Sequence, residues 1–326
     1  MNSLNETPHF ASLTHETILK VAEEELGTPL TGLCRTYNSY INRIFELAAV
    51  DGTGLVIKFY RPNRWSKEAL QDEHDFLLEL AETEIPVIAP LLLKDKKTLG
   101  STGDIRFAIF PKKGGRNSDE FSEEEWLELG RLISRVHNIG AKKIPKDRIT
   151  LTPDSATRDH INFILEREII PKDFSNQFMD TTEKLLDLIT PLFVNKPLIR
   201  IHGDCYSANI IHRSGESLYM IDFDDMAIST PIQDVWMLLP GYLKDSRHEL
   251  NLFIEGYESF RNFDRNDLKL IEPLRAMRYI HFTAWCAHQV ADSTFKKLSP
   301  DWGTAQYWQT EINDLSKQIT RIKETI

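Results

Sequence analysis

The sequence has little cysteine, no long apolar run and a deficit of positive charge. Its three cysteines, Cys34, Cys205 and Cys286, lie far apart and form neither a disulfide framework nor the CxxC spacing of a zinc site, which is typical of a reducing compartment. No apolar run approaches the ~18 residues of a membrane span. The net charge of −10 argues against a broad nucleic-acid surface, because binding to phosphate backbones depends on lysine and arginine. We therefore expect no nucleic-acid and no membrane partner.

Two sequence signals are also missing. Residues 1–6 lack the basic start and the apolar core of a signal peptide, so we expect a cytoplasmic protein. There is no GxxxxGKS or GxxxxGKT loop, which would indicate a different class of nucleotide-binding protein. What is present is a chain of 326 residues with 41% hydrophobic content, enough for a large core and for two lobes.

One stretch of the sequence carries the residue types of phosphoryl transfer. Asp204 stands in a loop, the carboxamide Asn209 follows five residues later, and a second carboxylate, Asp222, lies 13 residues beyond that. Transfer of a phosphoryl group from ATP needs a group that orients the attacking hydroxyl, and oxygen ligands that hold Mg²⁺ on the phosphates. We predict Asp204 and Asp222 as catalytic residues, and Asn209 and Asp222 as ligands of Mg²⁺.

The spacing of these three residues allows them to meet in the folded chain. Runs of β-forming residues at 209–212 and 218–221 flank a turn at 213–216, so a hairpin would bring Asp222 back beside Asn209. The alternative is that His202-Gly203-Asp204 is an ordinary turn, but the complete string favours catalysis. We expect His202 to hold the loop by hydrogen bonds rather than to transfer a proton.

A second group of residues suits the phosphates and the base of ATP. Lys58 lies in an otherwise apolar strand, and Glu73 on the following helix could hold its ammonium against the α and β phosphates. The alternative for Lys58 is a surface salt bridge. The turn at residues 36–43 has no glycine, so Ser39 and Asn42 would donate from their side chains, unless this is only a polar hairpin turn. Backbone groups from Phe110 to Lys112 would face the adenine.

The periodicity predicts an α+β chain with a small antiparallel sheet and one main helix in the N-terminal lobe and a mostly helical C-terminal lobe. We place the ATP-binding lobe at residues 1–113 and the catalytic and acceptor-binding lobe at residues 114–326. Helices are predicted over residues 15–26, 67–82 and 122–139, and from 231 and 271 onward. Strands are predicted at 30–35, 44–50, 55–60, 87–93 and 105–111.

Several polar residues outside these groups are expected to be structural. We interpret His137 as a core histidine, Asp234 as a helix cap or loop anchor, and Arg275 and Arg278 as a solvated or salt-bridged helix face rather than a substrate contact. Should the two arginines meet the acceptor, they would oppose a cation and favour an acidic peptide.

These motifs resemble the kinase-like family of aminoglycoside phosphotransferases, choline kinases and homoserine kinases. The resemblance implies an α+β, bilobal, protein-kinase-like fold. The resemblance is closer still to one branch, the bacterial stress-response Ser/Thr protein kinases, in five segments: residues 38–43, 56–62, 202–205, 233–239 and 272–278. It implies Asp204 as proton acceptor, Asn209 and Asp222 as Mg²⁺ ligands, and Ser39 in the ATP site. It also implies autophosphorylation, a monomer or weak oligomer in the cytoplasm, and a role in surviving envelope or oxidative stress.

The sequence allows both a protein and a small molecule as the acceptor of the phosphoryl group. Only about 12 residues separate Asp222 from Asp234, too few for the long phosphorylatable activation segment of eukaryotic protein kinases and typical of small-molecule kinases. We favour serine or threonine of a protein as acceptor. The alternatives are a small alcohol, an amino alcohol or an aminoglycoside, and a non-catalytic pseudokinase that binds nucleotide.

Overall fold

The computed structural model describes residues 10–117, 120–167, 169–213, 217–290 and 293–325. The contacts between its Cα atoms divide the chain into two units. The first unit holds the chain up to Arg148 with residues 204–226 and 248–261, and the second holds residues 149–203, 227–247 and 262–326. This division does not coincide with the expected lobe boundary between residues 113 and 114, which stays a prediction. The segment 1–6 and the turn residues 214–216 lie outside the described residues.

A five-stranded antiparallel sheet forms the centre of the first unit, in the order β1-β2-β3-β5-β4. Its strands are β1 (Leu30–Tyr37), β2 (Arg43–Ala49), β3 (Gly54–Phe59), β4 (Gly100–Thr102) and β5 (Ile105–Pro111). Alternating apolar residues of β2, β3 and β5 build a core with Ile18 and Ala22 of the first helix. The predicted antiparallel sheet of the N-terminal part is confirmed.

The helices of the first unit begin where capping residues predict. α1 (His15–Leu26) starts after Thr14 and ends at Gly27, whose φ of +64° is left-handed. α2 (Lys67–Glu82) starts after Ser66, whose Oγ accepts from the Ala69 N–H at 3.0 Å. α3 (Glu123–Gly140) starts with a complete capping box. Because each cap satisfies N–H groups that the helix itself cannot, these starts were readable from sequence.

One predicted strand is wrong. Residues 87–93 contain no strand, and the edge of the sheet is formed by β4 instead. Pro86 and Pro90 carry no N–H group, so this segment cannot form the regular row of backbone hydrogen bonds that a strand needs. It retains single contacts, such as the hydrogen bond from the Leu91 N–H to the Ile109 carbonyl at 2.7 Å.

Two glycines bring α3 close to α7 (Arg247–Tyr257). A Cβ atom at Gly130 of α3 would lie 2.1 Å from the Phe253 carbonyl oxygen, and one at Gly256 of α7 would lie 2.0 Å from the Leu127 carbonyl oxygen. Any side chain at either position would therefore push the two helix backbones apart. His137 of α3 is fully buried and bonds the Tyr257 hydroxyl at 2.9 Å, which confirms it as a core histidine.

A small hairpin completes the first unit. Its strands β7 (Ile210–Ile211) and β8 (Tyr219–Met220) are antiparallel, with Ile210 opposite Met220. This is the hairpin predicted between Asn209 and Asp222.

The second unit is mostly helical. Its elements are α4 (Arg158–Glu166), α5 (Lys172–Phe193), α6 (Gln233–Trp236), α8 (Ile271–Gln289), α9 (Ser293–Leu298), α10 (Ala305–Thr325) and the antiparallel pair β6 (Ile199–Ile201) and β9 (Ala227–Ser229). The helix predicted from residue 231 is only one turn long, whereas the helix from 271 is confirmed. None of the helices in the described part of the chain combines the length and hydropathy needed to cross a bilayer.

Candidate active site

The loop before Asp204 is held by a buried carboxylate. Asp234 accepts hydrogen bonds from the backbone N–H groups of His202 at 2.7 Å and Gly203 at 2.9 Å. Gly203 has a φ of +87°, a backbone conformation that residues other than glycine rarely adopt. Asp234 is therefore the loop anchor that the sequence predicted, and the turn that it fixes leads directly into Asp204.

Asn209 is tied to the Asp204 loop and to the hairpin. Its Nδ2 donates to the Asp204 carbonyl at 2.9 Å, and its own carbonyl accepts from the Ile221 N–H at 3.0 Å. The side chain is buried, and among the described residues its amide oxygen receives no hydrogen bond. The hairpin thus places Asn209 against the residue that precedes Asp222, with an oxygen atom left for a ligand.

Asp222 marks an abrupt change of backbone direction. It has a φ of +60°, which is uncommon for a residue with a side chain, and it precedes a short 3-10 helix, Phe223–Asp225. Phe223 anchors this turn by packing edge-on against Phe76 of α2, with ring centroids 5.8 Å apart. The Asp222 side chain is 47% exposed, so its carboxylate is accessible to a ligand.

Lys58 contacts two carboxylates of this turn. Its Nζ lies 2.8 Å from Asp222 Oδ1 and 3.1 Å from Asp224 Oδ1, and its side chain is only 8% exposed. Burial by itself would lower the pKa of Lys58, but the two negative charges outweigh it and raise the pKa above its usual range. Lys58 is consequently a permanent buried cation at this site.

Asp224 is the centre of a buried network that the sequence analysis did not single out. Besides Lys58, it binds the Arg64 guanidinium and accepts from Asn42 Nδ2 at 2.9 Å. Although burial opposes ionisation, the charges of Lys58 and Arg64 hold the pKa of Asp224 well below its usual range. Arg64 also binds Asp225 at 2.6 Å, so the residues after Asp222 are fixed by two ion pairs to Arg64.

The expected ion pair between Lys58 and Glu73 is not formed in the described part of the chain. Glu73 Oε2 instead accepts from Arg148 Nη2 at 2.8 Å, and both side chains are almost fully buried. Arg148 also donates to the Asp224 carbonyl at 2.6 Å. Burial and the negative charge of Asp224 raise the pKa of Glu73, against the opposing charges of Lys58 and Arg148. The predicted pairing of Lys58 with Glu73 is therefore wrong, because Glu73 pairs with Arg148 and Lys58 pairs with Asp222 and Asp224.

The predicted phosphate-binding turn follows β1. Ser39 is half-buried there, and its carbonyl accepts from Arg43 Nη1 at 3.5 Å. Asn42 departs from expectation, because its Nδ2 binds Asp224 and its Oδ1 accepts from the Arg61 N–H at 3.1 Å. With both amide atoms engaged and the side chain buried, Asn42 positions Asp224 and would have to give up a bond to reach a phosphate.

The end of β5 differs in detail from the predicted adenine contact. Phe110 pairs with Val56 within the sheet, and the Lys112 N–H donates to the Gly54 carbonyl at 2.9 Å. Because backbone groups alternate along a strand, the carbonyl of Pro111, the last residue of β5, points away from β3. The Lys112 ammonium binds Glu46 at 2.5 Å, and this bond is the largest influence that lowers the pKa of Glu46 to about 2. Neither the N–H nor the ammonium of Lys112 is therefore free for a nucleotide.

The ligand set fits Mg²⁺ bound together with phosphates. Within the described ranges, no three His, Cys, Asp or Glu side chains cluster as an all-protein metal cage would require. Mg²⁺ is usually held by one or two carboxylate or amide oxygens and keeps water and substrate phosphates as its other ligands. The Asp222 carboxylate and the Asn209 amide oxygen supply that smaller set.

Comparison with known proteins agrees with this chemistry. Stress response kinase A of Salmonella choleraesuis is 34% identical over 321 residues, which cover 97% of this chain and 95% of that protein. The serine/threonine protein kinase RdoA of Salmonella typhimurium shows the same identity and coverage. Stress response kinase A of Escherichia coli is 32% identical over 317 residues, with 97% and 95% of the two chains covered.

Solved structures share the fold at lower identity. The amicoumacin kinase hAmiN, in complex with AMP-PNP, Ca²⁺ and Ami, superposes with a TM-score of 0.74 at 19% identity and covers 96% of this chain and 94% of its own. Spectinomycin phosphotransferase APH(9)-Ia, in complex with ADP and spectinomycin, has a TM-score of 0.69 at 14% identity, with 97% and 100% covered. Residues 34–271 match the model of the phosphotransferase enzyme family, APH. The chain belongs to this phosphotransferase family.

Proposed function

We propose that the protein is an ATP- and Mg²⁺-dependent kinase that phosphorylates serine or threonine residues of proteins, its own chain included. The observation that carries this proposal is the hairpin that joins Asn209 to the Asp204 loop and leads into Asp222, whose carboxylate lies 2.8 Å from the buried Lys58. A base, two oxygen ligands and a fixed cation are what phosphoryl transfer requires. The relatives at 32–34% identity carry the names of stress response and serine/threonine protein kinases.

Each residue has a separate task in this proposal. Asp204 accepts the proton of the attacking hydroxyl, Asn209 and Asp222 hold Mg²⁺, and Lys58 offsets negative charge on the phosphates. Bound Mg²⁺ would supply further charge neutralisation at the transferred group. Glu73 acts indirectly, because it fixes Arg148, which in turn holds the backbone at Asp224.

The nucleotide would extend from the turn after β1 to the end of β5. Ser39 is the candidate hydroxyl donor to a phosphate, while Asn42 supports Asp224. We place the adenine at the backbone beyond Phe110, where the Pro111 carbonyl points away from β3 while the Lys112 N–H is bound to Gly54. We further propose a cytoplasmic monomer or weak oligomer with an ATP-binding lobe at residues 1–113 and an acceptor-binding lobe at 114–326.

A small-molecule acceptor is the second candidate. It is supported by the names of the solved structures, which include an amicoumacin kinase and a spectinomycin phosphotransferase. These proteins are at most 19% identical to the chain, whereas the relatives named as stress response or Ser/Thr kinases reach 34%. Protein is therefore the favoured acceptor.

The test is transfer from labelled ATP by the protein and by Asp204→Asn. We expect phosphoserine or phosphothreonine with the unaltered protein, and a rate lower by roughly 10²–10⁴-fold in the variant, the usual effect of losing a positioned base. Binding of AMP-PNP with Mg²⁺ should persist in Asp204→Asn, because the metal ligands remain. Asp180→Asn, an exposed carboxylate on α5, is the matched control and should transfer normally.

Two results would contradict the proposal. Near-normal transfer by Asp204→Asn would remove Asp204 from the chemistry. Rapid ATP turnover on a metabolite fraction, with no labelled protein, would replace the protein acceptor by a small alcohol.

A further inference from the structure

A basic cleft lies in the first unit, outside the candidate active site. It has a volume of about 940 Å³ and is lined by the connection between β3 and α2, the start of α2, and the turn that joins β4 to β5. Neither Lys58 nor the residues Asp204, Asn209 and Asp222 line it. The volume lies within the range of small-molecule binding sites, which is roughly 300–1,000 Å³.

The charge of the cleft opposes that of the whole protein. Four basic side chains line it, those of Arg61, Arg64, Lys67 and Arg106, against one acidic side chain, Asp104. The chain as a whole carries a net charge of −10. Arg64 is balanced by carboxylates beyond the lining, but the other basic side chains still outnumber Asp104, and such a local basic surface attracts anions.

Two of these cations have no carboxylate partner among the described residues. Neither Arg106 nor Lys67 forms an ion pair with that part of the chain, and Arg106 is half-buried at the wall of the cleft. Arg64 differs, because it is bound to Asp224 and Asp225. An unneutralised, partly desolvated guanidinium is a strong site for a charge-assisted hydrogen bond to a phosphate oxygen.

The start of α2 adds donors to the same cleft. Ser66 caps this 16-residue helix by accepting from the Ala69 N–H, and both Ser66 and Lys67 line the cavity. The N–H groups of Lys67 and Glu68 precede any partner within the helix, and the helix dipole favours negative charge there. The cavity, the cations without a carboxylate partner and the helix start all favour an anionic ligand.

We propose that this cleft binds a small anion with two or more phosphate groups, and that Arg64 carries its effect to the active-site carboxylates. Arg64 forms a wall of the cleft and at the same time binds Asp224 and Asp225, which follow the candidate metal ligand Asp222. An anion that draws on Arg64 weakens its hold on Asp224, whose other cation is Lys58. The second half of the inference rests on the proposed function, and the first half does not.

Binding is tested with pyrophosphate as the probe and the full chain, by calorimetry in EDTA and again with saturating AMP-PNP and Mg²⁺. We expect saturable binding in both conditions, because the cleft is separate from the nucleotide site. The variant Arg106→Gln/Lys67→Gln should bind pyrophosphate about 10-fold or more weakly, since it loses two charge-assisted contacts. The control Arg131→Gln/Lys142→Gln removes the same charges at exposed positions away from the cleft and should bind normally.

The effect on the active site is tested by the affinity for AMP-PNP with and without pyrophosphate. A change of that affinity in the control variant, and none in Arg106→Gln/Lys67→Gln, supports coupling between the cleft and the nucleotide site, which Arg64 connects to Asp224 and Asp225. Absence of saturable pyrophosphate binding, or equal binding by both double variants, overturns the site. Normal pyrophosphate binding that leaves the affinity for AMP-PNP unchanged overturns the coupling. Failure of the parent protein and of both double variants to bind AMP-PNP overturns the proposed function alone.

Discussion

His74 is a fully buried histidine of α2 whose ring nitrogens both have partners. One lies 2.8 Å from the Tyr60 hydroxyl and the other 2.8 Å from the Thr98 hydroxyl. Burial, and next the positive charges of Lys58 and Arg148, lower the pKa of His74 to about 3. The folded protein therefore keeps this ring neutral at pH values where an unfolded chain, with a histidine pKa of about 6.5, takes up a proton.

This difference predicts a pH dependence of stability. As the pH falls from about 6.5 towards 3, the unfolded state binds a proton that the folded state does not, so the free energy of unfolding decreases by up to about 1.4 kcal/mol per pH unit. In His74→Gln that loss should be smaller, which urea unfolding at pH 7, 6 and 5 would measure. The exposed His248→Gln is the control. Equal pH slopes in His74→Gln and the parent protein would contradict the interpretation.

The active-site residues divide into those that sequence could identify and those that it could not. Asp204, Asn209 and Asp222 are joined by one hairpin, so their proximity follows from local spacing. Arg64 and Asp224 are 160 residues apart, and Arg148 and Glu73 are 75 residues apart. No local pattern predicts such pairs, although three aspartates around Phe223 in an otherwise apolar segment are unusual enough to suggest charge partners elsewhere.

Secondary-structure elements were predictable where their ends are chemically marked. Thr14, Ser66 and Ser122 each cap a helix, and the predicted helix starts agree with the structure. Apolar runs without such marks were ambiguous. The composition of residues 87–93 predicted a strand, but Pro90 and the preceding Pro86 prevent regular hydrogen bonding to a neighbouring strand, and the true edge strand, β4, is only three residues long.

The close crossing of α3 and α7 predicts how a substitution at Gly130 changes stability. Gly130→Ala should destabilise the protein, although alanine in a helix interior is normally favoured over glycine by roughly 0.5–1 kcal/mol. The reason is that the new Cβ would meet the Phe253 carbonyl oxygen at 2.1 Å, so the helices must separate. Thermal unfolding would measure the effect.

A matched control distinguishes crowding from a general effect of the substitution. A Cβ atom at Gly114 would meet no other atom within 4 Å, and the φ of Gly114 is not positive, so Gly114→Ala should leave the melting temperature nearly unchanged. A Gly130→Ala protein as stable as the parent would show that α3 and α7 are not in close contact.

The three cysteines of the folded molecule are expected to have low thiol reactivity. Cys205 is fully buried, and burial raises the pKa of Cys34 to about 11 and that of Cys286 to about 12. Because the thiolate is the reactive form, all three should react slowly with a thiol reagent in the folded state and rapidly in guanidinium chloride. Loss of activity with peroxide in the parent protein, but not in Cys205→Ser, would instead indicate a redox switch.

The path of the chain through the first unit has a consequence for biosynthesis. The sheet and α2 lie in the first third of the sequence, but the same unit also contains the Asp204 hairpin and residues 248–261 of α7 and beyond. A ribosome delivers residues in order, so the partner helix of α3 becomes available only after residue 248 of 326 has been made. Until then the face of α3 around Gly130 has no α7 to cover it, and we expect the nascent chain to expose that surface.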